Sequence, residues 1–214
     1  MKLVYLIRHG QTEWNAEGRW QGQLDVPLSA EGRSQAHALA QHLAGQGIEA
    51  VYASDLMRAA ETGRILAEAA RAPLYLDSRL RELNLGVFQG LTHAEIRERY
   101  ANDERQMQAS YMDHTVPRGE SRRAMQKRMI EAWREIVARM DSQPAAIVSH
   151  GGSIRILLLG LLNPAEHEQI MTLEISNTSC TLLGVHPDGR VEMLVAADYA
   201  HLERRAADDG EHRL

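Results

Sequence analysis

Short apolar runs alternate along this chain with longer stretches whose apolar residues recur at helical spacing. Leu3-Val4-Tyr5-Leu6-Ile7 is almost continuously apolar, the pattern of a central strand buried on both faces. Across residues 30–44, Ala36, Leu39, Ala40 and Leu43 fall on one helical face, and Gly45 and Gly47 end the helix. Residues 50–53 predict the next strand, and Ser54 and Asp55 are N-cap candidates for a helix reaching about Ala70. Leu74-Tyr75-Leu76 predicts a short strand near a sheet edge. A loop with two glycines spans 81–90. Thr92 and Glu95 then form a capping-box pattern for a helix to about Tyr100.

The stretch 101–121 is weakly patterned and polar. It predicts an excursion with a short helix, a candidate lid. A long helix over 121–140, a buried strand over 145–148 and a strongly apolar helix after Gly152 return the chain to the core. Asn163-Pro164 starts a short helix with proline in its first turn. Strands over about 179–185 and 191–195, joined by the turn His186-Pro187-Asp188-Gly189-Arg190, close the fold. The charged tail after His201 is expected to fray. Strands alternating with helices predict an α/β layered fold.

The chain has 214 residues, 44% hydrophobic and 25% charged, which suits one globular domain over 1–214. The formal net charge of -5 argues against a general nucleic-acid surface. It leaves room for one compact basic pocket. Cys180 is the single cysteine, so no intrachain disulfide forms; it is expected to be a small buried strand residue, and a reducing compartment fits. The first apolar run stops at Arg8, too short for a signal-peptide core. The densest one, 154–162, carries Arg155 and falls far short of the ~20 residues that span a bilayer. The expectation is a soluble, cytoplasmic protein that does not bind a membrane.

Four segments place charged residues just after a strand or at a helix start: Arg8-His9-Gly10, residues 54–58, Arg81-Glu82-Leu83 and Ser149-His150-Gly151. In open α/β sheets ligands bind beyond the carboxyl ends of the strands. Gly10 after His9 lets the backbone approach a ligand closely. His150-Gly151-Gly152 repeats the strand-end His-Gly pair with a helix start behind it, where exposed N–H groups favour phosphate. Arg58 falls in the first turn of its helix, where a cation opposes the helix dipole. A surface ion pair to Glu61 is the plain alternative; an anion site is the other. The 10 histidines include no pair at helical ligand spacing with a supporting carboxylate motif, so no metal is expected.

The stretch Leu6-Ile7-Arg8-His9-Gly10-Gln11-Thr12-Glu13-Trp14-Asn15 resembles the signature of the histidine phosphatase superfamily, the group containing cofactor-dependent phosphoglycerate mutases and related phosphatases. The resemblance continues through residues 21–29, 54–59 and 81–86, then Gly119-Glu120-Ser121 and Val148-Ser149-His150-Gly151, in family order and at family-like spacing. It implies a three-layer α/β/α sandwich around a mainly parallel mixed sheet. It implies His9 as the nucleophile, with Arg8, Arg58 and His150 around the transferring phosphoryl group and Glu82 as general acid and base. It also implies substrate contacts from Asn15, Gln21, Gly22 and the Gly151 N–H. Trp20, Phe88, Met107, Tyr111 and Met112 are candidates either for the pocket mouth or for plain packing.

Two reactions share that phosphohistidine. A phosphatase passes the phosphoryl group to water; a phosphoglycerate mutase passes it to a bound hydroxy acid. Mutases of the family carry a Glu-Arg-x-Tyr-Gly type segment and an arginine-rich insert; here residues 81–86 read Arg-Glu-Leu-Asn-Leu-Gly, and 101–117 hold Arg105 as their one Lys or Arg. The resemblance therefore points to a phosphatase acting on small phosphorylated metabolites, with no cofactor. The mutase alternative would require 2,3-bisphosphoglycerate. A binding protein that has lost catalysis is a third reading, opposed by the presence of all five catalytic positions. A homodimer through an edge strand or an exposed helix is also an expectation.

Overall fold

The computed structural model describes residues 1–202; the charged tail beyond lies outside the described residues. Six strands form one mixed sheet: β1 (Lys2–Arg8), β2 (Ala50–Ala53), β3 (Leu74–Leu76), β4 (Ala145–Ser149), β5 (Cys180–Val185) and β6 (Val191–Asp198). Their spatial order is β3-β2-β4-β1-β5-β6. The first four run parallel, while β5 lies antiparallel to β1 and β6 antiparallel to β5.

The helices are α1 (Glu13–Ala16), α2 (Ala30–His42), α3 (Met57–Ala70), α4 (His93–Arg99), α5 (Ala101–Ala109), α6 (Arg122–Arg139), α7 (Gly151–Leu161) and α8 (His167–Thr172). Side chains alternate across each strand, so β1 feeds two cores. Val4 and Leu6 join Ile147 of β4 and the apolar faces of α6 and α7. Tyr5 and Ile7 join Ala146 and Val148 with Leu39 and Ala40 of α2 and Leu66 and Ala67 of α3. Helices thus cover both faces, giving the expected α/β/α layering. Burying each large aliphatic side chain of β1 and β4 contributes about 1.5–3 kcal/mol, which makes these strands the rigid base of the site. Cys180 is buried in β5, and burial pushes its thiol up to about 12.

Three local expectations need correction. Neither Ser54 nor Asp55 caps α3. The N-cap is Leu56, which has no capping side chain, and the Met57 N–H donates instead to Asp25 Oδ1 at 2.7 Å. Ser54 and Asp55 are drawn away by His150 and Arg81. Second, β6 runs three residues beyond the expected end, because pairing with β5 resumes past an irregularity at Cys180 and Leu182. Third, a short helix missing from the sequence reading, α1, is nucleated by a capping box between Thr12 and Asn15. The box at Thr92–Glu95 forms where the sequence places it, and the helix start at Asn163-Pro164 carries a further box between Asn163 and Glu166.

The 101–121 excursion is α5 followed by turns, anchored in the core by Met107 and Val116. Among the described residues no helix is long and apolar enough to cross a membrane.

Candidate active site

Register in the sheet brings the two His-Gly pairs together. Arg8 of β1 pairs with Ser149 of β4, so His9 and His150 leave adjacent strands at the same level. Their ring centroids lie 5.1 Å apart at 62°. β2, on the far side of β4, ends beside them at Ser54, whose Oγ lies 2.9 Å from His150 Nε2. The loop before β5 holds β1 from the other side: the Asn177 side chain donates to the His9 carbonyl at 2.9 Å, and the Thr178 N–H to the Arg8 carbonyl at 3.0 Å.

His9 is 3% exposed, and its Nδ1 lies 2.6 Å from the Gly10 carbonyl. That contact requires Nδ1 to carry the proton, which leaves Nε2 unprotonated with its lone pair able to accept. Burial, followed by the Arg58 and Arg8 charges, holds the imidazole well below the ordinary histidine range. His9 is therefore neutral at neutral pH, as a nitrogen nucleophile must be.

Arg58 is 1% exposed, and each of its three nitrogens makes one hydrogen bond. Its Nε donates to His9 Nε2 at 3.3 Å, Nη1 to the Leu24 carbonyl at 2.8 Å and Nη2 to the Gly22 carbonyl at 2.7 Å. Burial lowers it to about 10, so the guanidinium stays charged. The alternative ion pair does not form, since Glu61 pairs with Arg33. Arg8 donates through Nη1 to the Ile175 carbonyl at 2.7 Å, while its buried Nε has no partner among the described residues.

These residues open into a cavity of about 390 Å³ lined by Arg8, His9, Asn15, Gln21, Gly22, Arg58, Glu82, Gly151 and Gly152, among others. Asn15 Oδ1 is held by the Thr12 N–H and hydroxyl, each at 3.1 Å. The capping box thus consumes the amide oxygen and leaves the NH₂ for an anion. Gln21 Oε1 is buried without a partner among the described residues. His150 is 1% exposed and sits behind His9 rather than on the cavity wall; its buried Nδ1 has no partner among the described residues.

Glu82 stands at the N-terminus of α7. Its carboxylate accepts from the Leu83 N–H at 2.7 Å, the Gly152 N–H at 3.0 Å and the Ser153 hydroxyl at 3.2 Å. A Cβ at position 152 would lie 2.7 Å from Glu82 Oε1, so only glycine admits the carboxylate there. Beneath it, Arg128 of α6 donates to the Arg79, Arg81 and Glu82 carbonyls at 2.7, 2.7 and 2.9 Å, and its Nη2 donates to Glu120 Oε1 at 2.6 Å. Glu120 also accepts from the Asn84 N–H at 2.9 Å. The Gly119-Glu120-Ser121 motif therefore serves to hold the loop that presents Glu82.

Gly10 has a packing role. A Cβ there would lie 2.4 Å from the Gly32 carbonyl oxygen. The glycine admits the first turn of α2.

Sequence reasoning missed Arg128, Gly152, Asn177 and Arg122. Arg122 lines the cavity from the first position of α6. The signal that singled out Arg58, a cation opposing a helix dipole, was present at Arg122 as well. Of the aromatic and methionine candidates, Trp20 and Tyr111 reach the cavity, whereas Phe88 and Met107 are core and Met112 packs against it. Arg105 is exposed on α5. Among the described residues no cluster of His, Cys, Asp and Glu has the makings of a metal site. A larger, mostly apolar cavity of about 800 Å³ lies at the opposite end of the sheet, between α6, α7 and the β5–β6 turn, away from every motif residue.

Comparison with known proteins agrees with this geometry. Residues 4–198 match the family model described as histidine phosphatase superfamily (branch 1). The probable phosphoglycerate mutase GpmB of Serratia proteamaculans is 36% identical, over 98% of this chain and 99% of its own length. The solved mycobacterial glucosyl-3-phosphoglycerate phosphatase is 36% identical with a TM-score of 0.80, covering 91% of this chain and 98% of its own. YhfR of Bacillus stearothermophilus is 32% identical with a TM-score of 0.82, covering 94% and 100%. With the motifs, the strand-end site and these likenesses in agreement, the chain belongs to the histidine phosphatase superfamily.

Proposed function

We propose that the protein hydrolyses small phosphomonoesters through a phosphohistidine at His9. The observation that carries this reading is the His9 side chain itself: neutral, with Nδ1 tied to the Gly10 carbonyl and the Nε2 lone pair directed at the Arg58 Nε–H. Nε2 attacks phosphorus as the ester oxygen departs. The charge spread over the three equatorial oxygens is met by the Arg58 and Arg8 guanidinium groups, the Asn15 amide and the Gly151 N–H, with His150 behind. These groups are fixed before substrate arrives, which is the condition for stabilising a transition state at low reorganisation cost. Glu82, held on the same cavity by three donors, protonates the leaving oxygen and then removes a proton from the water that attacks phosphohistidine. Positive charge comes from arginine, so no step needs a metal.

The acceptor separates two readings. The sequence relatives named probable phosphoglycerate mutase favour a hydroxy acid. The cation inventory of the cavity favours water. Arg19 is paired with Glu17 and Glu95, and Arg155 is spent on the Ile170, Met171 and Leu173 carbonyls. A bisphosphate primer would bring a second dianion to a wall whose one further arginine among the described residues, Arg122, already donates to the Tyr111 carbonyl. The test is phosphate release from a panel of phosphorylated metabolites, run beside conversion of 3-phosphoglycerate to 2-phosphoglycerate with and without 2,3-bisphosphoglycerate. Phosphate release without primed interconversion supports hydrolysis; efficient primed interconversion assigns the mutase reaction.

A further inference from the structure

Thr178, in the turn before β5, lies outside the cavity, yet its backbone is strained. It is fully buried with φ at +57°. A β-branched residue in the left-handed region is an outlier, since glycine or asparagine is the ordinary choice there. The conformation clamps the end of β1. The Thr178 N–H reaches the Arg8 carbonyl at 3.0 Å and the His9 carbonyl at 3.3 Å, and the Arg8 N–H donates to the Ser179 carbonyl at 3.2 Å. Beside it the Asn177 NH₂ donates to the His9 carbonyl at 2.9 Å and to Asn15 Oδ1 at 3.4 Å. One short turn thus holds both the main chain of His9 and the amide of Asn15. Strained backbone persists only where its surroundings over-determine it.

The Thr178 hydroxyl supplies that constraint. Its Oγ1 donates to the Asn177 carbonyl at 2.8 Å and lies 2.9 Å from His201 Nε2. With its one proton spent on the carbonyl, the hydroxyl accepts from His201, so the imidazole carries its proton on Nε2. His201 Nδ1 then keeps the lone pair, buried and with no partner among the described residues. His201 is 4% exposed and stands just past β6, whose extension to Asp198 delivers it to the turn. The titratable groups beside it are His42 of α2, with ring centroids 5.6 Å apart, and Asp198, which lies 3.4 Å from His42 Nε2. Burial, followed by His42, lowers His201 to about 4, so the imidazole is a neutral donor at neutral pH. Among the described residues the contact to Thr178 is the one hydrogen bond that this buried side chain makes. Burial of its unpartnered nitrogen is a cost that calls for a reason.

Building on the phosphohistidine reading, we infer that His201 is a positioning residue: through the Thr178 hydroxyl it locks the turn that fixes the His9 main chain and the Asn15 amide for attack on phosphorus. The test is the rate of phosphoenzyme formation, read as the burst of p-nitrophenolate on rapid mixing with p-nitrophenyl phosphate. Wild type, His201→Leu, His201→Gln, Asn177→Ala and the double variant His201→Leu with Asn177→Ala are compared, each normalised to folded protein by circular dichroism. His201→Leu is expected to slow the burst about 10–100-fold with a smaller change in KM, the effect of a nucleophile misplaced by a fraction of an ångström to about one. His201→Gln, whose amide N–H can stand in for Nε2–H, should regain most of the rate. Asn177→Ala should lose a similar factor, and the double variant should be little slower than the slower single one, because both act along one path. In ¹⁵N-histidine-labelled wild type, NMR should show His201 as the Nε2–H tautomer, a readout independent of how the variants fold. Should His201→Leu not fold, Asn177→Ala and the tautomer decide. An unslowed burst in His201→Leu or Asn177→Ala, equal losses in the Leu and Gln variants, additive losses in the double variant, or an Nδ1–H tautomer would overturn the inference while leaving the phosphohistidine intact. Absence of any phosphoenzyme in the wild type would instead remove the reading on which it rests.

Discussion

Arg58 donates through Nε to His9 Nε2 at 3.3 Å while two backbone carbonyls, of Gly22 and Leu24, hold its other nitrogens. The proposed nucleophile and its principal cation are thus fixed to each other before substrate enters. When a phosphoryl group replaces the lone pair as the neighbour of Nε2, the same guanidinium lies beside the oxygens that gain charge. Arg58→Lys keeps the charge and loses the fork. Turnover is expected to fall about 10²–10³-fold, with a smaller change in KM, in steady-state assays with p-nitrophenyl phosphate. A loss below tenfold would mean that charge alone suffices.

In the proposed mechanism the Glu82 carboxylate matters in proportion to the difficulty of the leaving group. Glu82→Gln should slow hydrolysis of alkyl phosphates far more than that of p-nitrophenyl phosphate, whose phenolate departs without a proton. Arg128→Met acts through the same loop, by releasing the Arg81 and Glu82 carbonyls, and should show the same leaving-group pattern in weaker form. Equal losses across leaving groups in Glu82→Gln would contradict its role as the acid.

Gly10→Ala tests a packing contact within the catalytic motif. The added methyl lies 2.4 Å from the Gly32 carbonyl oxygen, and a backbone atom cannot swing aside. A destabilisation of about 1–3 kcal/mol or more is expected, read from chemical denaturation. Unchanged stability with lost activity would assign this glycine to ligand approach rather than to packing.

The pH dependence follows from three buried histidines. His9 and His150 are held well below the usual value of 6.5, mainly by burial, and burial and the nearby His42 lower His201 to about 4. Each is neutral in the folded protein and takes up a proton more readily when unfolded. Their contribution is therefore complete above about pH 6.5 and is lost as pH falls toward the folded values. His201 alone should cost on the order of 2–3 kcal/mol by pH 4. Denaturation midpoints measured from pH 8 to pH 4 should be flat at first and then fall, and His201→Gln should flatten the fall. The acid limb of kcat/KM set by His9 should likewise lie well below 6.5.

The layered fold was legible because β1 and β4 are apolar on both faces and the helices announce themselves by period and cap. Arg8, His9, Arg58, Glu82 and His150 were legible because each stands beside a strand end or helix start within a recognisable motif. What the sequence hid was tertiary. Ser54 reads as an N-cap, and no local rule predicts that His150, 96 residues away, will claim its hydroxyl while Asp25 serves α3 instead. Arg122 and Arg128 share α6 with Arg123 and Lys127, and a helix rich in cations reads as a solvated face. Only the fold shows that two of them turn inward, one toward the cavity and one beneath Glu82.

The most direct test of the account is chemical trapping of the intermediate. Brief incubation with a ³²P-labelled phosphomonoester, followed by rapid denaturation, should yield a phosphoenzyme that is acid-labile and base-stable, located by peptide mapping at His9 and absent from His9→Ala. A phosphoenzyme on another residue, or full turnover by His9→Ala, would contradict it.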